Sequence, residues 1–182
     1  MRGRICSSLL LCVALSLPLA EAHGQKQPDP LSSAQIDQVR ELGDRPVERV
    51  KLYLKYVNER TEAIRGLTPD SDENSRPMEL RARYEEFTRL SDELSDNMET
   101  YDADHADLRK ALRAVVTSSA KWPPVLEGPA ANNTYDFARK TALDAANATI
   151  EEAQKLLAAE ETYFAAHKGE AGKNGKAPTP EQ

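Results

Sequence analysis

The chain of 182 residues carries 24 Lys and Arg against 30 Asp and Glu, a net charge of −6, with two cysteines and three phenylalanines. From Leu31 onward, 14 Leu, 3 Ile, 7 Val and 3 Phe stand beside 22 Ala. That places large apolar residues below the ~20% under which a highly charged chain is suspected of disorder. Such a composition excludes a thick-cored α/β enzyme domain or a β-sandwich. Because Ala is the best helix former, it leaves an all-α fold with a thin core, or a largely unfolded chain.

Residues 1–22 read as a secretory signal. Arg2 and Arg4 form a positive start, Ile5 to Leu17 an apolar run, and Ala20-Glu21-Ala22 offers small residues on either side of Glu21, before His23. The apolar run is too short to span a bilayer comfortably. Cleavage is expected after Ala22, giving a periplasmic or secreted protein. Both cysteines, Cys6 and Cys12, leave with the signal, so the mature chain has no disulfide and no thiolate nucleophile. Removal of Arg2, Arg4 and Glu21 leaves a net charge of −7, and an acidic chain of mixed signs carries no footprint for nucleic acid. No second apolar stretch is long enough for a membrane span. The sequons at Asn132 and Asn147 matter only in a eukaryotic secretory pathway.

Residues 23–31 hold two prolines and no periodicity, and read as a flexible leader. A helical domain is expected over 32–168. Ser32 or Ser33 caps a first short helix carrying Ile36, Val39 and Leu42, which Gly43-Asp44-Arg45-Pro46 interrupts. Asp44 is the expected cap of the next helix, with Pro46 in its first turn. Val47, Val50, Leu54, Val57, Thr61 and Ile64 then form one stripe at three- and four-residue spacing. Residues 66–77, with two prolines and three acids, are a loop.

The pattern resumes at Leu80, Phe87, Leu90, Leu94, Tyr101, Leu108, Leu112 and Val115 with heptad-like gaps, a coiled-coil type of seam. One long helix is expected over about 77–121, ended by Trp122-Pro123-Pro124. Its weak point is Tyr101-Asp102-Ala103-Asp104, where the aspartates could cap a fresh helix. After a loop at 125–133, Asn133 or Thr134 caps a last helix. Its face holds Tyr135, Ala138, Ala142, Ala145, Thr149, Ala153, Leu156 and Tyr163, widened by one position through Leu143, Ile150, Leu157 and Phe164. Acid-first pairs Glu85/Arg89, Asp136/Lys140 and Glu151/Lys155 are spaced to support these helices. Residues 169–182 are mostly Gly, Lys and Pro, hence a disordered tail. The expected architecture is an elongated up-down-up bundle of three long helices. A break near Asp102 would make it a four-helix bundle instead.

Few residues invite chemistry. Asp70, Asp72 and Asn74 match the first three ligand positions of a calcium loop. Ser75 and Arg81 occupy the positions where the turn glycine and the bidentate glutamate belong. Asp102 and His105 stand three apart, like half of a di-iron motif, but His23 and His167 lack a matching acid to complete it. Met98 and His105 form a nominal haem pair without an attachment motif. No zinc-protease, nucleophile-elbow or dinucleotide motif occurs, and Gly169, Gly172 and Lys173 fail the phosphate loop in spacing. Trp122, Tyr53 and Tyr56 are expected to cover the bundle rather than bind a ligand. No catalytic, cofactor-binding or metal-ligating residue is therefore assigned, and no cofactor.

Leu31-Ser32-Ser33-Ala34-Gln35 resembles the Leu-Thr-x-x-Gln element of small periplasmic helical chaperones of the Spy and CpxP type. The resemblance covers five residues, with Ser for Thr. Leu67-Thr68-Pro69-Asp70-Ser71 starts alike but ends in Ser, so the element does not recur. It implies a helical protein that binds unfolded clients.

The expected function is that of an exported, non-enzymatic helical bundle acting through protein–protein contacts, with homo-oligomers among the contacts its seam supports. A chaperone-like protein and a metal- or cofactor-binding bundle centred on His105 are the alternatives. Mass spectrometry of the exported protein should find a new N-terminus near His23; an intact Met1 would refute the signal.

Overall fold

The computed structural model describes residues 29–67 and 76–173. Every regular element among them is helical: α1 (Ser33–Glu41), α2 (Pro46–Gly66), α3 (Arg76–Ala103), α4 (Arg109–Ser119), α5 (Trp122–Glu127) and α6 (Asp136–Ala166). None of these helices is long and apolar enough to cross a membrane. The thin-cored all-α bundle expected from composition is the observed fold.

The helix starts follow local chemistry. Ser32 caps α1 through a reciprocal capping box, its Oγ accepting the Gln35 N–H at 3.3 Å and Gln35 Oε1 accepting the Ser32 N–H at 2.9 Å. The Leu-Ser-x-x-Gln element is thus a helix start. At α2 the cap position belongs to Arg45, not Asp44, and no side chain bonds there. Pro46 at the first helical position has no N–H to satisfy, which removes one orphan donor. At α6, Asn132 forms the turn through the Thr134 N–H at 2.9 Å, ahead of the expected caps Asn133 and Thr134. Asp136 Oδ1 closes that turn on the Asn132 N–H at 3.0 Å.

The expected long helix over 77–121 is divided. It ends at Ala103, and α4 begins at Arg109. The Ala106 N–H bonds the Tyr101 carbonyl at 3.0 Å and the His105 N–H bonds the Asp102 carbonyl at 2.9 Å. His105 sits at φ 56°. This is a Schellman ending with histidine in the left-handed position that glycine usually takes. Asp102 and Asp104 cap nothing; Asp107 Oδ1 takes the Arg109 N–H at 3.4 Å. The tryptophan–proline triplet also differs from expectation. It opens α5, because proline suits the first turn of a helix as well as it ends one.

The extensive helix pairings are α2 with α3, α3 with α6, α6 with α4, and α4 and α5 with α2 and α6. They close a ring of four columns, with α4 and α5 stacked in one. Arg60–Glu86 and Tyr53–Glu93 set α2 antiparallel to α3. Tyr84 against Tyr135 and Ser95 bonded to Thr149 set α3 parallel to α6. The turn at 104–108 therefore carries the chain across the diagonal of the bundle, and the four-helix alternative describes the layout.

The stripes go where periodicity sends them. Val50, Leu54, Val57, Thr61 and Ile64 of α2 and Leu80, Phe87, Leu90 and Leu94 of α3 are buried. On α6 the buried face holds Ala138, Ala142, Ala146, Thr149, Ala153, Leu156, Glu160 and Phe164. Ala146 thus replaces the expected Ala145, and Phe164 of the widened face is buried where Tyr163 is half-buried. Tyr56 and Trp122 belong to the core itself. The acid-first pairs rearrange as well: Glu85 pairs with Arg81, Asp136 with Arg139 and Lys140 with Asp144.

Three columns meet at a polar latch. The Trp122 indole N–H donates to Asn58 Oδ1 at 2.9 Å, and the Asn58 amide donates to Ser118 Oγ at 2.9 Å. The Phe87 ring meets the Trp122 indole edge-on at 5.7 Å. Asn58→Ala leaves the indole N–H of a fully buried tryptophan unpaired, an expected loss of about 2 kcal/mol in urea unfolding. In a Trp122→Phe background the same change should cost about 1 kcal/mol less. Additive losses would show that the amide does not latch the indole.

Candidate functional site

Two concavities among the described residues bring carboxyl groups of shifted acidity together. The first is a groove of about 490 Å³ between α1 and the α2–α3 pair. Leu31, Ile36, Val39, Tyr53 and Leu90 give it an apolar floor; Asp29, Asp92, Glu93 and Asp96 rim it with Arg40 and Arg89. Asp92 and Asp96 lie one helical turn apart, and burial followed by the Asp96 charge pushes the Asp92 carboxyl above its usual range. The Tyr53 hydroxyl, donating to Glu93 Oε2 at 3.5 Å, is raised by burial and by the Glu93 charge.

The wall of this groove is held by few bonds. Helix α1 takes part in none of the extensive helix pairings. It is fastened by buried Val39 and by Tyr56 Oη donating to Gln38 Oε1 at 2.7 Å; just before it, Arg60 donates to the Pro30 carbonyl at 2.6 Å. A helix so held opens more easily than the four columns behind it.

The second concavity, of about 250 Å³, lies at the end of the bundle where α3 turns into α4. Asp102, His105, Ala106, Ala159, Glu160, Tyr163 and Phe164 line it. The structure thus brings Asp102 and His105 together, as their spacing promised, and adds Glu160. Glu160 is 3% exposed and its Oε2 accepts the Leu108 N–H at 2.9 Å. Its other oxygen, Oε1, is buried without a partner. Burial is the main cause that lifts the Glu160 carboxyl to about 7; the Leu108 N–H and Arg109 oppose, and Asp102 and Asp107 reinforce. Asp102 is itself raised by burial, with His105 and Lys155 opposing.

Around this cavity the Tyr163 ring lies between two imidazoles, His105 at 4.7 Å and His167 at 4.1 Å, both nearly parallel to it. Asp107 and Arg109 form a two-bond pair, Oδ1 to Nε at 2.8 Å and Oδ2 to Nη2 at 2.7 Å, holding Asp107 down to about 2. Residues at the start of the compositional tail also reach this end. The Gly172 N–H donates to Asp107 Oδ2 at 2.8 Å, and the Lys173 carbonyl accepts the Asp107 N–H at 3.0 Å.

Met98 is fully buried in the core and does not line the cavity, so the Met98–His105 pair is not assembled there. Among the described residues no group of three or more His, Cys, Asp and Glu is placed to hold a metal ion. The calcium-like residues Asp70, Asp72 and Asn74 and the imidazole of His23 lie outside the described residues. Glu160 escaped the sequence reading although it stands four residues after Leu156 and four before Phe164, on the buried stripe. Comparison with protein-family models, with curated proteins and with solved structures returns no match. The chemistry of both concavities is read from their residues alone.

Glu160 makes stability depend on pH. Its folded value, about 7, lies above the ordinary 4.5, so the native state holds the proton more tightly than the unfolded chain. Its contribution is complete below pH 4.5 and is lost as pH rises through 7, on the order of 3 kcal/mol in all. Urea unfolding of Glu160→Gln, which retains an acceptor for Leu108, should show less of this decline than the wild type. Parallel curves for the two proteins would sink the assignment.

Proposed function

We propose that the chain is an exported, non-enzymatic helical bundle that works by docking another polypeptide. The groove beside α1 is the observation that carries this reading. Its floor is apolar, its rim has four carboxylates against two guanidiniums, and its outer wall is a lightly fastened helix. Such a surface favours an amphipathic segment with basic side chains. The apolar side of the segment replaces water over half-buried Leu31 and Ile36, while Asp92 and Asp96 select for positive charge. The signal-like start of the sequence supports action outside the cytoplasm.

A short lysine–leucine peptide should bind the mature protein in fluorescence anisotropy, and a glutamate–leucine peptide of the same length should not. Reversal of charge in Asp92→Lys/Asp96→Lys should weaken the basic peptide about tenfold, close to 1.4 kcal/mol. Equal binding of both peptides, or no effect of the reversal, would overturn the docking reading. The chaperone-like alternative uses the same groove, which Leu31 of the Leu-Ser-x-x-Gln element helps to line. Suppression of aggregation of an unfolded client, abolished by Ile36→Asp, would single it out.

A further inference from the structure

The cavity at the turn between α3 and α4 is a separate place from the groove, with a different chemistry. A carboxyl that is 3% exposed carries one saturated oxygen and one with no partner. Buried polar atoms are almost always paired, so Glu160 Oε1 marks a demand for a hydrogen-bond donor. The residues around it do not meet that demand. Arg109, the cation nearest in sequence to the turn, spends its Nε and Nη2 on Asp107. It also lies over the Phe164 ring at 4.7 Å. Lys155 bears on Asp102 only through space.

The charge balance at the cavity is negative. Asp102 and Glu160 both line it, whereas the Asp107 carboxylate is neutralised by Arg109 and by the Gly172 N–H. A ligand here should be a cation with an N–H to give. A divalent metal ion is poorly served, because the described residues offer no group of three ligands. A quaternary ammonium ion is poorly served too. It has no N–H, and the aromatic faces it would need are taken: Tyr163 is covered by His105 and His167, and Phe164 is faced by Arg109. The apolar members of the lining are Ala106, Ala159 and Phe164.

We propose that this cavity binds a small primary ammonium ion on a short apolar stem, donating an N–H to Glu160 Oε1 with Asp102 as the second carboxylate. The stem lies against Ala106, Ala159 and Phe164. A charge-assisted bond of this kind is roughly twice as strong as a neutral one and ends the isolation of Oε1.

The test is an amide-resolved NMR titration of the mature protein with n-butylamine, run above neutral pH so that Glu160 is ionised. Saturable shifts are expected at Leu108 and at the turn around His105, with neither n-butanol nor tetramethylammonium competing. Glu160→Gln should weaken binding at least tenfold while leaving shifts elsewhere in the bundle unchanged. Asp102→Asn should weaken it several-fold, and because it leaves the Glu160–Leu108 bond in place it serves if the first variant unfolds. No saturable shift at tens of millimolar would mean that the cavity holds only water and would overturn the proposal. Equal binding of n-butanol, or affinity unchanged in both variants, would do the same.

Discussion

The layout of this bundle depends on one long-range hydrogen bond, from the Leu108 N–H to the carboxyl of Glu160. A helix that starts afresh at Arg109 has unsatisfied N–H groups in its first turn. Here the N–H of Leu108, the residue at that start, belongs to a wholly inaccessible residue, so water cannot serve it. The acid that does so comes from the far end of α6. In turn, the break gives Glu160 the partner without which a buried carboxyl would be costly. Each supplies the partner the other needs at the point where α4 enters the fourth column.

The thin core is supplemented by polar seams. Helix α6 contributes mainly alanines, which let its neighbours approach closely but bury little area each. Facing α3 supplies the bulk through Phe87, Leu90, Leu94 and Met98. Where apolar volume runs short, side chains bond across the gap. Ser95 meets Thr149 at 3.1 Å, the Tyr84 hydroxyl donates to the Leu126 carbonyl at 2.8 Å, and Asn58 ties Trp122 and Ser118 to α2. Directional bonds of this kind specify which columns face each other, which a Leu/Ala seam does weakly.

Rigidity is distributed unevenly, and the two concavities sit on opposite sides of that divide. The groove lies under α1, which is held by one buried valine and a few side-chain bonds. A wall of that kind can shift to admit a polypeptide of varied shape. The cavity by Glu160 is enclosed by α6, a Schellman turn, a stack of three rings and the Asp107–Arg109 pair. That suits a small ligand held in one orientation.

Much of the fold was legible because helical periodicity is a local property. Val50 to Ile64 and Leu80 to Leu94 bury the side that their spacing assigns, and Ser32 with Gln35 starts α1 from a recognisable box. The division of the long seam was legible only as a weak point at Tyr101 to Asp104, which carried the four-helix alternative and not the leading expectation. The usual marker of a helix end is glycine in the left-handed position, and here His105 occupies it, with its ring stacked on Tyr163. The two prolines after Trp122 were ambiguous in the same way, since proline both ends and begins helices.

The candidate sites divide likewise. Asp102 and His105 could be paired from their spacing along one turn. Glu160 stood on the apolar stripe, but an acid there is buried only if a distant donor meets it, and that donor was the N–H of Leu108. The groove joins residues around α1 to residues of α3 that lie about fifty positions or more away. The sequence by itself determined an all-α, thin-cored chain and the inward face of most helices, because these follow from local spacing and composition. Only the tertiary structure decided the number of columns, the burial of Glu160 and the meeting of charges at each site, because these depend on partners that no local pattern encodes.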